Sequence, residues 1–313
     1  MRNRRYGAAA RGLAALVAIT ALAAPAWAAT PIAGHYPPGQ SGIRGAATPA
    51  VGWSITNFNR FFSNLTAKDA SGETTGEVDE LRYANITMVT WATPWKLLGM
   101  NYGALAGIPF ATGNLNPSSG DVGSSSFGLG DVLVTPVSVY ALGPSYDYQF
   151  QFTVWTASGR FTPGGTDNRG SGYWALVYSI GGVWYPTQDR QDWSCSAVAR
   201  FEQNFEQRDS GITPGDDVVV DWGVGKVVPI DARPLDLGLS GFATWQLTRQ
   251  VSGSMGQSGP PGTESLYRYF GLGPEASFAF TPSFALRLRL HWEFGTRNAV
   301  QGNNAWLIAN FAL

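Results

Sequence analysis

The feature that most constrains this chain is a two-residue alternation of apolar and polar side chains, sustained over unusually long segments. From Phe284 to Phe294, the residues Phe284, Leu286, Leu288, Leu290, Trp292 and Phe294 share one face, and Arg287, Arg289, His291 and Glu293 share the other. Leu235–Thr248 repeats the pattern. Leu235, Leu237, Leu239, Ala243, Trp245 and Leu247 stand opposite Asp236, Ser240, Thr244, Gln246 and Thr248, and Phe242 is the apolar exception on the polar face. In Trp193–Glu206, the residues Trp193, Ala197, Ala199, Phe201 and Phe205 oppose Asp192, Ser194, Ser196, Arg200, Glu202, Asn204 and Glu206. Successive strand side chains point to opposite faces, so each segment reads as one two-faced strand. Soluble strands usually run to about 5–6 residues.

Alternation alone fits two architectures: a soluble sandwich with its polar face in water, or a membrane barrel with its apolar face in lipid. The connections separate them. Strands are expected near 50–65, 79–91, 97–110, 127–140, 146–158, 173–185, 192–206, 216–229, 235–249, 265–280, 284–294 and 305–313. Short links at Thr93–Lys96, Leu142–Ser145, Pro186–Gln191, Ile230–Pro234 and Thr281–Ser283 alternate with longer Gly/Pro/Asn/Ser-rich ones. The longer ones are Ala67–Val78, Ala111–Ser126, Gly159–Gly172, Gln207–Gly215, Gln250–Glu264 and Gly295–Asn304. Short turns on one side and long loops on the other mark a transmembrane antiparallel up-and-down β-barrel. The pattern predicts twelve strands. Ten or fourteen also fit, because the first two segments alternate poorly.

The N-terminus agrees. Arg2, Arg4, Arg5 and Arg11 precede an apolar run from Gly12 to Ala24 and then Ala26-Trp27-Ala28. That order predicts a secretory signal over 1–28, cleaved after Ala28, and the run is too short for a spanning helix. Residues 29–48 have no period, so an extended segment is expected there, either periplasmic or tucked into the lumen with His35 and Tyr36 against inward polar groups. Residues 49–313 form the barrel. Removing the signal leaves 17 basic against 22 acidic residues, with no basic patch for nucleic acid. Charged residues make up 14%, well under the roughly 25% of soluble domains. The single Cys195 excludes an intramolecular disulfide and a cysteine-rich metal site, and no cofactor motif is present. An exported, charge-poor chain without spanning helices can cross lipid only as a closed barrel. The predicted location is the outer membrane.

Aromatic residues gather at the short turns. Trp91 and Trp95 flank one, and Trp184, Tyr185 and Trp193 another, as in an interfacial belt. The final Leu307, Ala309, Phe311 and Leu313 alternate to the terminus, which resembles a C-terminal signal read by the barrel-assembly machinery. Lipid and that machinery are the expected partners.

Register assigns lumen and selectivity candidates: Asp147, Gln149, Gln151, Arg200, Glu202, Asn204, Glu206, Asp217, Asp221, Asp236, Glu275, Arg287, Arg289, His291 and Glu293. A twelve-stranded barrel lies between filled and open ones. These charges therefore either tune a narrow path or pair into a network that plugs it. Catalysis is not expected: only His35 and His291 are available, no G-x-S-x-G occurs, and no set of nucleophile, base and orienting group is visible. Asp167, Asp216 and Asp217 match no calcium loop and read as solvated. Pro136 and Pro274 fall within strands and predict bulges. Centring the last hairpin but one on Pro282 pairs Phe280 with Phe284, Ser277 with Arg287, Glu275 with Arg289 and Gly273 with His291. It leaves a cavity beside His291.

Several motifs together carry a family resemblance. They are Gly34-His35-Tyr36-Pro37-Pro38-Gly39, Pro49-Ala50-Val51-Gly52, Gly128-Leu129-Gly130-Asp131-Val132-Leu133-Val134-Thr135-Pro136, Gly271-Leu272-Gly273-Pro274-Glu275, Trp292-Glu293-Phe294-Gly295-Thr296-Arg297-Asn298 and Gln301-Gly302-Asn303. In this order they resemble the family named for the meta-pathway of phenol degradation. The resemblance implies an outer-membrane channel for small hydrophobic or aromatic compounds. The alternatives are a closed structural barrel whose outer loops bind partners and, third, an outer-membrane lipid hydrolase.

Overall fold

The structure, a computed structural model, describes residues 31–115, 127–165, 167–230, 233–252, 257–258 and 265–313. The predicted signal peptide lies outside them. Twelve long strands build the wall: β1 Gly52–Lys68, β2 Thr74–Leu97, β3 Met100–Ala111, β4 Leu133–Leu142, β5 Tyr146–Trp155, β6 Ala175–Trp184, β7 Trp193–Asn204, β8 Asp217–Ile230, β9 Arg233–Gln246, β10 Arg268–Thr281, β11 Phe284–Arg297 and β12 Ala299–Ala312. Each pairs antiparallel with the next. β1 pairs with β12 from Ser54–Ala312 to Lys68–Ala299, so the sheet closes on itself. Closure gives every wall strand a hydrogen-bonding neighbour on both sides, as lipid demands. No helix among the described residues is long and apolar enough to cross a membrane.

Two expected outer loops are instead strand. The β1–β2 ladder continues to Lys68–Thr74, so Ala67–Val78 shrinks to a tight turn over 69–73. The Asp69 carboxylate accepts the N–H groups of Ser71, Gly72 and Glu73 at 2.8–2.9 Å. Gly295–Asn304 is likewise paired strand, turned at Asn298 with φ 49°. Both stretches are rich in glycine and polar residues, which reads as loop, but the ladder uses main-chain groups that every non-proline residue carries. The first short turn falls at Leu98-Gly99, later than Thr93–Lys96. Both residues have positive φ, 53° and 82°, as a two-residue hairpin turn requires.

The prolines divide. Pro136 sits at a register shift between Val134 and Val137, the expected bulge. Pro274 does not: the β10–β11 ladder skips from Leu272–Trp292 to Glu275–Arg289 with the register kept. The wall stays shut there, because a Cβ on Gly273 would overlap the Leu290 carbonyl. The poor alternation of β1 and β2 also has a cause. Asn57, Asn59, Asn85 and Thr87 lie between inward residues and bond to one another on the outer face, Asn57 Nδ2 reaching Thr87 Oγ1 at 2.8 Å and Asn59 Nδ2 reaching Asn57 Oδ1 at 2.7 Å.

Near the short turns Trp95, Trp184 and Trp193 are exposed, and Trp53 stacks on Trp91 at 5.3 Å. Tyr185 is a correction. It is buried and turns inward to hydrogen-bond Asp147 at 3.1 Å, so it is a lumen residue rather than part of the belt.

Candidate functional site

The lumen is not empty. Residues 31–51 form no strand and thread it from end to end. Ile32 N–H donates to Gln250 in the loop after β9 at 3.1 Å, and Tyr173, ahead of β6, donates to Ala33 O at 2.9 Å. Thr48 N–H reaches Asp147 at the other end at 3.2 Å. Ile32 therefore lies at the long-loop end and Thr48 at the short-turn end. Local turns satisfy only Gln40, Gly45 and Ala47 N–H, at 2.9–3.3 Å, so the segment's other main-chain donors need acceptors elsewhere. Wall carboxylates provide them.

Glu202 on β7 accepts His35 N–H at 2.6 Å and Tyr36 N–H at 3.1 Å, and it contacts His35 Nδ1 at 3.0 Å. Asp221 on β8 accepts the Tyr36 hydroxyl at 2.5 Å, Gly39 N–H at 2.8 Å and Ser41 N–H at 2.9 Å. Glu275 on β10 accepts Ile43 N–H at 3.1 Å. Asp236 on β9 accepts Arg44 Nε at 2.6 Å. Arginines complete the set. Arg289 donates to the Gly39 carbonyl and to Gln40 O at 2.9 Å. Arg200 donates to Ser41 Oγ at 2.7 Å and lies 4.1 Å from the Tyr36 ring centroid. Hydrogen bonds to charged groups contribute about 1.5–3 kcal/mol each, so the segment is held firmly although few of its side chains are large.

The predicted Glu275–Arg289 pair is present. The two residues face each other in register, bonded at 2.8 and 3.0 Å with both side chains fully buried. Arg287 adds a 3.3 Å contact to Glu275. Phe280 does not pair with Phe284. Thr281 does, and an irregularity between Ala279 and Thr281 restores the predicted register beyond it. The cavity expected beside His291 is filled: the Phe242 ring packs edge-on at 5.4 Å, and the backbone of Gly39 presses against the imidazole. His291 Nε2 lies 3.1 Å from Ser240 Oγ. That is a Ser–His pair, but both residues are sealed from solvent and Nδ1 has no partner among the described residues. It lacks an orienting group and an approach for substrate, and it carries no hydrolase reading.

Of the remaining candidates, Gln149 and Gln151 line open space beneath the threaded segment. Asp217 accepts the Tyr267 hydroxyl at 2.8 Å, so it is buried rather than solvated. Asp147 takes Arg190 at 2.7 and 2.8 Å. Glu293 accepts Gly302 N–H and Asn304 Nδ2, each at 2.8 Å. Asn204 ties its strand end to Gly215 O. Glu206 is exposed beyond the end of β7, because the strand stops two residues early. Asp167 is engaged by Arg160 and Arg169, and Asp216 accepts Asn204 N–H at 2.9 Å. No group of three metal-ligating side chains occurs among the described residues.

Space remains on one side of the thread. From the short-turn end a cavity of about 430 Å³ rises past Arg44, Arg287 and Gln149. It shares Gln40, Ser41, Phe58, Leu105 and Gln151 with a second cavity of about 160 Å³, which is lined by Met88, Leu133, Trp155 and Val177. From the long-loop end, cavities of about 250 and 140 Å³ share Ala33, Arg60, Tyr267 and Tyr269. The two systems approach each other at Tyr36, which borders both. Beside it the Phe58 and Trp306 rings meet edge to face at 6.5 Å.

The profile of a family described as "Putative MetA-pathway of phenol degradation" matches residues 63–308. The chain belongs to that family. Among solved structures, the COG4313 outer membrane channel from Pseudomonas putida F1 superposes with TM-score 0.68 at 14% identity, covering 89% of this chain and 100% of that one. The β domain of the Bordetella autotransporter BrkA gives 0.46 at 10% identity, covering 83% and 100%. No curated protein matches the sequence. In this member of the phenol-degradation family the family profile begins within β1, so the threaded segment lies ahead of the matched region.

Sequence reasoning missed several residues of the site. Asp131 accepts Gly159 N–H at 2.8 Å and Ser171 N–H, and it lies 3.4 Å from His35 Nε2. It precedes β4, in the Gly-Leu-Gly-Asp motif, where no alternation points inward. Burial would raise its carboxyl, but the His35 ring beside it and the two loop amides that donate to it hold it below the usual range. Burial opposes charge on His35, but its bonds to Asp131 and Glu202 overcome this and raise it to about 9. Tyr173, Tyr267 and Arg190 lie in loops, and Arg60 lies on the poorly alternating β1. On β9 the polar-face position of Phe242 signalled an inward aromatic.

Proposed function

We propose that this chain is an outer-membrane channel for small hydrophobic or aromatic solutes, held shut by residues 31–51. The observation that carries this reading is the pair of cavity systems entering from opposite ends and approaching each other at Tyr36. A barrel built only as a wall has no need of apolar space along its thread. The lower system sets Phe58, Met88, Leu105, Leu133 and Trp155 against the amides of Gln40, Gln149 and Gln151, a mixed lining suited to a flat apolar ring bearing a polar group. The outward apolar faces fit a lipid belt, and the alternating Leu307, Ala309, Phe311 and Leu313 suit the barrel-assembly machinery as partner. Membership of a family named for phenol degradation supports the aromatic class.

The test is solute flux into proteoliposomes for the full chain and for a chain lacking residues 31–48. The deletion is expected to conduct ions and admit phenol-sized solutes, and the full chain to conduct weakly. If both are silent, the second reading holds, a closed structural barrel. The number of buried bonds on the thread favours that reading. A gene deletion that leaves uptake of every aromatic carbon source unchanged removes the substrate class.

A further inference from the structure

Arg60 lies on the inner face of β1, where its neighbours in register are Trp306 and Ala84. Its Nε donates to Asn304 Oδ1 at 2.7 Å. The guanidinium carbon lies 4.5 Å from the Phe62 ring centroid and 5.3 Å from that of Trp306. Among the described residues no carboxylate comes within ion-pairing distance of it, and no other hydrogen bond engages it. This is unusual company for the cation. Arg44, Arg200, Arg287 and Arg289 each touch an acid of the lumen. A guanidinium has five donors in a planar fork. Here one edge is fixed by Asn304, and the group borders both outer cavities, of about 250 and 140 Å³. Their remaining walls include Phe62, Tyr267 and Tyr269, with Ser63 and Asn64 above.

We propose that this outer chamber binds small aromatic monocarboxylates, the carboxylate on the free edge of Arg60 and the ring among Phe62, Tyr267 and Tyr269. Planar, paired N–H donors match a carboxylate in two bonds. The larger cavity falls just short of the roughly 300 Å³ at which drug-sized pockets begin, so it suits one ring and not two. The inference deepens the channel reading by giving the solute an acidic group. Two wall acids also line these cavities. Asp217 is engaged by the Tyr267 hydroxyl, and both Glu293 oxygens are engaged by Gly302 and Asn304. Neither reaches Arg60. Glu293 still opposes an incoming anion, so its neutral variant is expected to bind more tightly.

The experiment is calorimetric titration of the detergent-solubilised full chain with benzoate and with toluene, which is the same ring without the carboxylate. Benzoate is expected to bind saturably and toluene at least tenfold more weakly. Arg60→Gln is expected to weaken benzoate at least tenfold while leaving toluene alone. Arg60→Lys, which keeps the charge but not the fork, is expected to fall between. Glu293→Gln is expected to tighten benzoate several-fold, and it keeps the test open should the Arg60 variants fail to fold. No saturable benzoate binding, equal losses for both probes in Arg60→Gln, or weaker binding in Glu293→Gln would each overturn the site. Binding needs no flux, so a barrel that binds benzoate but never conducts refutes the channel and spares the site. One that conducts without binding does the reverse.

Discussion

Replacing Glu202 by Gln tests directly whether wall carboxylates hold the threaded segment. One carboxylate oxygen accepts both His35 N–H at 2.6 Å and the His35 ring at 3.0 Å, and the other accepts Tyr36 N–H at 3.1 Å. A carboxamide keeps one accepting oxygen and turns an NH₂ toward the other donor. At least one bond is lost and the rest become neutral. At about 1.5–3 kcal/mol for a bond to a charged group, docking of this stretch weakens by about 3 kcal/mol. That is roughly a hundredfold in the undocked fraction. Amide hydrogen exchange of the purified barrel reads this locally. Tyr36 is expected to exchange roughly a hundredfold faster, Ile43 and Thr48 less so, and the wall strands not at all. Ion conductance in planar bilayers should rise in parallel. Unchanged Tyr36 protection would show that the carboxylate is incidental and that packing alone retains the segment.

Glu275→Gln leaves the buried Arg289 without its acid, and breaking such a pair costs about 3–5 kcal/mol. The temperature at which the barrel loses its compact gel mobility is expected to fall. Gly42→Ala puts a Cβ against Glu275 and Arg289, so it should raise conductance without disturbing the wall. The effect of pH has a defined sign at His35. Its pKa is raised to about 9 from 6.5, so its contribution to docking is complete below about pH 6.5 and is lost as pH rises through about 9. Asp131, held low, contributes above its ordinary range and loses that contribution only on acidification. An alkaline rise in conductance should therefore be absent in His35→Gln; a persisting rise would assign it elsewhere.

The wall was legible because lipid outside and polar groups inside impose a period of two on most strands, though not on β1 and β2, where asparagines and Thr87 bond to one another on the outer face. For β10 and β11 this fixed even the Glu275–Arg289 partnership, since one residue of slip would turn both charges to lipid. Rim turns were less legible. The glycines and asparagines of 295–304 suit a loop as well as they suit a ladder that uses only main-chain groups. The site was half legible. Alternation pointed to Glu202, Asp221 and Glu275 but not to their partners, because residues 31–51 have no period and their contacts are with strands far along the chain, from Thr48 with Asp147 to Tyr36 with Glu202 and Gly39 with Arg289. Phe242 misled in one respect: it was read as an exception, yet it fills the space assigned to a cavity beside His291.

The carboxylates that hold the thread's main chain lie on one side of the wall. Residues 31–48 come ahead of every wall strand in the chain, yet their acceptors lie on β5, β7, β8, β9 and β10. The tether enters at Gly52, beside the β1–β12 seam, where Leu313 N–H meets Trp53 O at 2.9 Å. The acceptor strands belong to one contiguous run of the wall, so their acids form a single row along the thread. Because one residue of slip turns an inward side chain outward, a barrel whose β7, β8 or β10 paired out of register would lack an anchor for the thread, so retention of the thread reports on the register of that half of the wall.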